Sequence, residues 1–202
     1  PDAKPPITWS ETEHVAWKVE LPGEGTGTPI IWGDQIFIQA AIPTGKKGEP
    51  NPAKKAAGLI TPGVVMGQQP PPPERGPRRG GPGGGGGFGA PAEAPSEVFK
   101  FDLLSLDRKT GKIQWQKTLR ELVPHEGHHR DHGYASHSPI TDGEHVFAWF
   151  GSRGLHSVDM KGNVLWSRDL GQMQTRAGFG EGTSPALHGN TLVVNWDHEG
   201  AD

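Results

Sequence analysis

The sequence contains no cysteine, which excludes disulfide bonds, thiolate zinc sites, thiol nucleophiles and iron–sulfur clusters within this chain. Hydrophobic residues make up only 32% of the 202 residues, and no apolar run approaches the roughly 18 residues of a membrane span. The formal net charge of -3 gives no support to nucleic-acid binding. These shortages leave a disordered chain or a loop-rich all-β fold as the candidate classes.

Glycine and proline are abundant, and they are unevenly distributed along the chain. Of 31 Gly and 20 Pro, 14 Gly and 12 Pro fall within residues 43–97, and all seven Trp lie outside that segment. A segment with so few apolar residues buries too little surface to offset its ordering entropy. The composition predicts a disordered low-complexity insertion over 43–97, between an ordered segment 1–42 and an ordered segment 98–202.

Three stretches outside the insertion align without gaps, namely residues 27–38, 137–148 and 183–194. All three hold Thr-Pro or Ser-Pro before an apolar strand, namely Thr28-Pro29, Ser138-Pro139 and Ser184-Pro185. Each continues through a short turn with Gly into a second apolar strand. This pattern is typical of a β-hairpin whose proline stands near the first strand's start.

A second unit also repeats, at residues 104–115 and 155–166, with a partial copy at 14–19. In each full copy a strand runs into Asp, a turn passes through Gly, and a strand carrying Trp follows. Asp accepts hydrogen bonds from turn amides, and Gly adopts positive φ. Equivalent positions recur every 45 to 55 residues once the insertion is set aside, which predicts four-stranded blades of a β-propeller.

The stretch from Ser105 to Trp115 resembles the repeat of the pyrroloquinoline-quinone (PQQ) propeller superfamily, with Asp107, Thr110-Gly111 and Trp115 at the motif positions. Residues 157–166 resemble a variant that is one residue shorter and lacks the Thr. The resemblance covers everything except the insertion. It implies an all-β partial propeller of about two and a half four-stranded blades.

The same resemblance implies structural roles for the repeat residues, because the family's repeat Trp docks between adjacent blades. The residues to which it assigns blade docking are Trp17, Trp115, Trp166, Asp107, Gly111, Asp159 and Gly162. Including an outer strand near 14–21, we expect about eleven strands, with the insertion between the second and third strands of the first blade. Family propellers have more blades, so we interpret the chain as an N-terminal fragment, with oligomeric closure as the alternative.

The densest polar cluster is a His-rich connection, residues 125–137, which holds five of the ten His. Such side chains could bind a polar or anionic ligand, or a divalent metal through His128 and His132. A solvated loop whose His cap turns is the plainer interpretation, and the spacing matches no strong metal template. No metal site is therefore assigned.

In propellers, connections of this kind run along the face next to the central channel. The next connection, residues 171–184, adds Arg176 and Glu181 to that face. The ligand-binding candidates at this face of the channel are His128, His129, His132, His137, Arg176 and Glu181. Alternatively, Arg176 and Glu181 pair with each other or with neighbouring blades. The acidic stretch 195–199 is interpreted as the polar edge of a blade.

Function is predicted from the fold family and from what the sequence does not contain. The leading hypothesis is a non-catalytic propeller that binds a ligand or protein, in the periplasm or outside the cell. The alternative is a quinone-dependent oxidoreductase, for which the resemblance implies PQQ and Ca²⁺ bound with the help of further blades. No catalytic residue is assigned. Predicted partners are the remaining blades or another protein, with no nucleic acid and no membrane span in this segment.

Overall fold

The computed structural model describes residues 6–50, 93–175 and 178–199. These residues form ten β-strands and a 3₁₀ turn at Gly151–Arg153. The strands in chain order are β1 Ile30–Trp32, β2 Gln35–Lys47, β3 Glu97–Asp107, β4 Ile113–Leu122, β5 Ile140–Thr141, β6 His145–Trp149, β7 Leu155–Asp159, β8 Val164–Arg168, β9 Ala186–His188 and β10 Thr191–Val193.

The strands form two four-stranded antiparallel sheets and a two-stranded hairpin. Blade 1 has the order β1-β2-β3-β4, blade 2 has the order β5-β6-β7-β8, and β9 pairs with β10. Within each blade, consecutive strands pair with one another, as expected for a propeller blade. The prediction of an all-β fold with two blades and the first half of a third is confirmed.

The central strand β3 is buried on both faces, because blade 1 has neighbours on either side. Phe101 and Leu103 pack in one cluster with residues of blade 2, including Val146 and Phe150. Leu104 and Leu106 alternate to the opposite cluster, where Trp17 and Leu21 pack against them. Apolar residues therefore occupy both faces of β3 between Phe101 and Leu106, with Asp102 and Ser105 as buried polar exceptions.

Two details differ from the sequence prediction. Residues 14–21 form no strand in the part of the chain that the structure describes, and they contact blade 1 through side chains such as Trp17. β2 also continues past residue 42 to Lys47 and pairs with β3 down to Glu97. Pro43 is tolerated there because the ladder shifts register between Pro43 and Lys47.

The predicted insertion leaves the sheet between β2 and β3. Its residues 51–92 lie outside the described residues, so the prediction of disorder there stays a prediction. The register places Pro43 opposite Phe99 and Phe99 opposite Leu122. The insertion and the His-rich connection therefore leave blade 1 at the same end. In the described ranges, no helix is long and apolar enough to cross a bilayer.

Candidate functional site

Trp115 of blade 1 docks on the β7–β8 turn of blade 2. Its indole Nε1 donates to the carbonyl of Met160 at 3.1 Å. The ring covers Gly162, where an added Cβ would lie 2.9 Å from the indole ring, and the φ of +86° also favours glycine. The turn therefore presents a bare backbone surface that matches a flat aromatic ring.

Trp17 repeats this contact on the β3–β4 turn of blade 1. Its Nε1 donates to the carbonyl of Arg108 at 3.0 Å, and its ring covers Gly111. Trp166, the third residue in the series, is partly buried and has its ring centroid 6.0 Å from that of Phe147. Trp17 and Trp115 thus make the same contact, in which the indole donates to a turn carbonyl and covers a turn glycine, although residues 14–21 are not a strand.

The aspartates of the two turns hold the glycines in place. Asp107 Oδ1 accepts from the Thr110 amide and the Thr110 hydroxyl, both at 2.8 Å. Asp159 Oδ1 accepts from the Asn163 amide at 2.9 Å, and its Oδ2 accepts from Asn163 Nδ2 at 2.8 Å. Thr110 and Asn163 lower the pKa of Asp107 and Asp159 respectively. The shorter repeat without Thr thus keeps the same carboxylate bonding through Asn163.

The Ser/Thr-Pro positions link consecutive hairpins. The Thr28 amide donates to Ser138 Oγ at 2.8 Å, and the Ser138 amide donates to Ser184 Oγ at 2.9 Å. Equivalent residues are therefore joined by a repeating bond along the first strands of the units. Sequence reasoning assigned only the proline of this motif a role.

Three histidines of the His-rich connection bond to residues of the same segment. His128 Nδ1 donates to the carbonyl of His129 at 2.8 Å, and His129 Nδ1 accepts from the Asp131 amide at 3.2 Å. His132 Nδ1 lies 3.4 Å from Ser136 Oγ. Among the described residues, no group of three His, Asp or Glu side chains is arranged to hold a metal ion.

Two of the candidate residues, His137 and Glu181, lie beneath the surface. His137 is fully buried, and its ring meets the Trp149 ring edge-on with a centroid distance of 6.0 Å. Burial lowers the pKa of His137 to about 4, although the Glu181 carboxylate opposes the shift. Arg176 lies outside the described residues. The structure thus buries His137 near Glu181. His129 contacts the next connection directly, since its amide donates to the Phe179 carbonyl at 3.2 Å and its ring centroid lies 5.5 Å from that of Phe179.

Glu181 forms a buried ion pair with Arg153 of the 3₁₀ turn. Glu181 Oε2 lies 2.8 Å from Arg153 Nη1 and accepts from the Ser152 amide at 2.6 Å, while Oε1 accepts from Ser152 Oγ at 2.5 Å. The carboxylate lies against Gly151, where an added Cβ would collide with Oε2. Three donors around one carboxylate satisfy a charge that would otherwise be costly to bury.

The guanidinium of Arg153 also packs on aromatic rings of blade 1 and its connection. Its Cζ lies 5.3 Å from the Tyr134 ring centroid and 5.8 Å from that of Phe101. Burial raises the pKa of Tyr134 to about 12, with Arg153 opposing the shift. Arg153 therefore joins blade 1, blade 2 and the connection that follows blade 2.

Sequence reasoning missed Arg153 and Ser152 as partners of Glu181. The run Gly151-Ser152-Arg153-Gly154 signals a tight turn between two strands. It does not reveal a partner 28 residues away, because the pairing depends on how the next connection folds back. The local sign in the sequence is an arginine inside a Gly-rich turn.

An open cleft of about 210 Å³ lies above this ion pair. Two connections and the segment after β10 meet beside it. His125 Nε2 donates to the carbonyl of Met173 at 2.7 Å, and Thr175 Oγ1 donates to Glu126 at 2.9 Å. The lining residues are Met173, Thr175, Phe179, Gly180, Glu181, Gly182, Thr183, Asp197 and Glu199.

The segment after β10 is tied to the same rim. The Gln174 amide donates to His198 Nδ1 at 3.0 Å, and the Glu199 amide donates to the Gln174 carbonyl at 2.9 Å. The stretch 195–199, interpreted from the sequence as a blade edge, thus contributes Asp197 and Glu199 to the wall of the cleft.

The buried histidines predict a pH dependence of stability. Burial lowers the pKa of His137 and of His156 to about 4, below the unfolded value near 6.5. Between these values the unfolded chain binds protons that the folded chain does not, so we expect the free energy of unfolding to fall as pH drops from about 6.5 to 4. The loss is roughly 2–3 kcal/mol for each ring.

Urea unfolding at a series of pH values measures how steeply the free energy of unfolding falls between pH 6.5 and 4. His137→Gln should flatten it, whereas His188→Gln, at an exposed position of β9, should leave it unchanged. A slope that His137→Gln leaves intact would contradict the assignment to His137.

Comparison with known families agrees with this architecture. A family profile described as outer membrane protein assembly factor BamB, built on PQQ-like repeats, matches residues 81–199. The match takes in β3 through β10, together with the docking turns and the cleft. No curated protein matches the chain. Because the profile covers more than half of the sequence, the chain belongs to the PQQ-like repeat family of β-propellers.

Proposed function

We propose that this chain is a non-catalytic propeller that binds another protein at the cleft beside its inter-blade connections. The observation that carries the proposal is the cleft itself, where three segments of chain meet over a buried ion pair. Phe179 at its wall is 38% exposed, whereas Met173, which also lines the cleft, is buried. Concave sites with an exposed aromatic side chain and a fixed polar frame suit recognition of a polypeptide.

The bonding of the polar residues supports binding over catalysis. Glu181 is held by Arg153 and Ser152, and Glu126 is held by Thr175. Both carboxylates support the loops that form the cleft. Groups used in this way pre-organise a surface, which lowers the entropy cost of binding a partner.

The residues of the cleft do not suit PQQ, the cofactor that gives the family its name. PQQ is a tricarboxylate, and the described lining includes the carboxylates of Glu181, Asp197 and Glu199. Like charges at short range repel. The guanidinium of Arg153 is buried and paired with Glu181. In the described part of the chain, these residues do not fit the cofactor.

Site-specific photo-crosslinking in living cells tests the proposal. We expect a photoreactive phenylalanine analogue in place of Phe179 to give a discrete protein adduct, and the same analogue in place of Trp9 to give none. Trp9 is 78% exposed and lies outside the cleft, so it controls for general surface contact.

A second measurement separates the alternative function. Titration of the purified protein with micromolar PQQ and Ca²⁺, followed by dye reduction, reports on quinone-dependent oxidation. Absence of an adduct at position 179 together with dye reduction would contradict the binding proposal and favour the oxidoreductase.

We also propose an extracytoplasmic location, which follows the family resemblance and the description of the matching profile as an outer membrane assembly factor. Release of the protein by osmotic shock from intact cells, with a cytoplasmic enzyme retained as control, is the expected result. Retention of both proteins with the cytoplasm would contradict it.

A further inference from the structure

Several buried polar atoms lie where blade 1, blade 2 and the two connections meet. Five of them have no hydrogen-bond partner among the described residues: Nδ1 and Nε2 of His137, Nε of Arg153, Nε1 of Trp149 and Oε1 of Gln39. All four side chains are at most 5% exposed. Leaving a buried donor or acceptor unpaired costs about 1–3 kcal/mol, so groups of this kind are usually satisfied.

Direct contacts link Gln39 to Trp149 and Trp149 to His137. Gln39 Nε2 crosses from blade 1 to donate to the Trp149 carbonyl at 2.8 Å. The Trp149 ring meets the His137 ring edge-on, and His137 lies within electrostatic range of Arg153 and Glu181. His156, by contrast, has Ser167 at 2.8 Å on Nδ1 and the Arg153 carbonyl at 3.3 Å on Nε2. Of the two buried histidines among the described residues, His137 is therefore the one whose ring nitrogens have no partner in the protein.

The chemistry of the group selects a small neutral molecule that both donates and accepts. Neutral imidazole offers one N–H and one lone pair, Arg153 Nε and Trp149 Nε1 offer N–H groups, and Gln39 Oε1 accepts. An anion would meet the Glu181 carboxylate, and a cation would meet the Arg153 guanidinium. Water has the required size and bonding, and buried waters typically make about three hydrogen bonds to such groups.

Glu181 belongs both to the cleft and to the surroundings of this buried group. Glu181 is one of the residues that line the cleft, and its carboxylate bonds to Arg153 and Ser152. It is 8% exposed, so it forms the boundary between the cleft and the buried group.

We propose that His137 is the centre of an internal water site at the junction of the two blades, where ordered water joins the imidazole to neighbouring buried donors and acceptors. The site is independent of the binding function proposed for the cleft.

Water relaxation dispersion, measured through ²H and ¹⁷O, tests the site in the intact protein. We expect the number of long-lived internal waters to fall by about one in His137→Phe, because the phenyl ring has no hydrogen-bonding atom. His156→Gln is the matched control and should retain the wild-type number, since the His156 nitrogens have partners in the protein. Equal numbers in all three proteins would overturn the proposal.

A high-resolution crystal structure of the wild-type protein gives a decision that does not depend on folding of the variant. Water within about 3.2 Å of either His137 ring nitrogen is the expected result. A His137 ring with both nitrogens bonded to protein atoms, or with neither nitrogen near an ordered water, would overturn the site.

Discussion

Replacing Glu181 with Ala is expected to lower the free energy of unfolding by about 3–5 kcal/mol, because it leaves the buried Arg153 guanidinium without its counter-ion. The change also removes the acceptor of the Ser152 amide and hydroxyl. Arg153 is 5% exposed and has little access to solvent in compensation. Urea unfolding monitored by tryptophan fluorescence measures the loss.

Glu121→Ala is the matched control for this prediction. Glu121 pairs with Lys46 at 3.8 Å, and both side chains are more than 40% exposed. Exposed pairs of this kind contribute at most about 1 kcal/mol. The double variant Arg153→Met/Glu181→Leu should recover much of the stability lost in Glu181→Ala, since neither charge is then buried alone. A loss below about 1 kcal/mol for Glu181→Ala would show that the ion pair does not hold the connection.

Replacing Trp115 with Ala is expected to lower the free energy of unfolding by about 3 kcal/mol. The indole covers Gly162 and bonds to Met160, so its removal opens the junction between blades 1 and 2. The neighbouring Phe37 ring, centred 5.9 Å from the indole, also loses a contact. The same unfolding experiment measures the effect.

Trp9→Ala is the control, because Trp9 is 78% exposed. Trp9→Ala is expected to change the free energy of unfolding by no more than about 0.5 kcal/mol, as other surface substitutions do. Trp115→Phe should retain part of the stability, since the ring remains and only the bond to Met160 is lost. Similar losses for Trp9→Ala and Trp115→Ala would contradict a docking role for Trp115.

The fold was largely predictable from the sequence because its signals are local. The Asp–Gly–Trp spacing in residues 107–115 and 159–166 specifies a turn and the strand after it, and the structure has β4 and β8 there. Ser/Thr-Pro and the following Gly turn specify the hairpins. The segment 14–21 was predicted as a strand from its likeness to a repeat, but a strand also needs a ladder partner, which a local pattern does not supply.

The site was less predictable because its bonds connect distant parts of the chain. A high density of histidine suggested one ligand-binding group, yet His128 and His132 bond within their own loop. His137 differs only in position, since it begins the segment that leads into β5 and is carried below the surface. The Arg153–Glu181 pair likewise depends on two loops approaching one another, which neither loop's sequence encodes alone.

The hydrogen bonds at the Ser/Thr-Pro positions of consecutive units run in one direction along the chain, from a backbone amide of one unit to a serine hydroxyl of the next. Ser138 accepts from Thr28 and donates its own amide to Ser184, so each unit presents a different surface to the unit before it and the unit after it. Such joints are heterologous and contain no two-fold axis. Any further unit that uses the same contacts must add head to tail with the same sense of rotation. Repetition of this joint yields a closed ring or an open helix, and it cannot yield a face-to-face dimer.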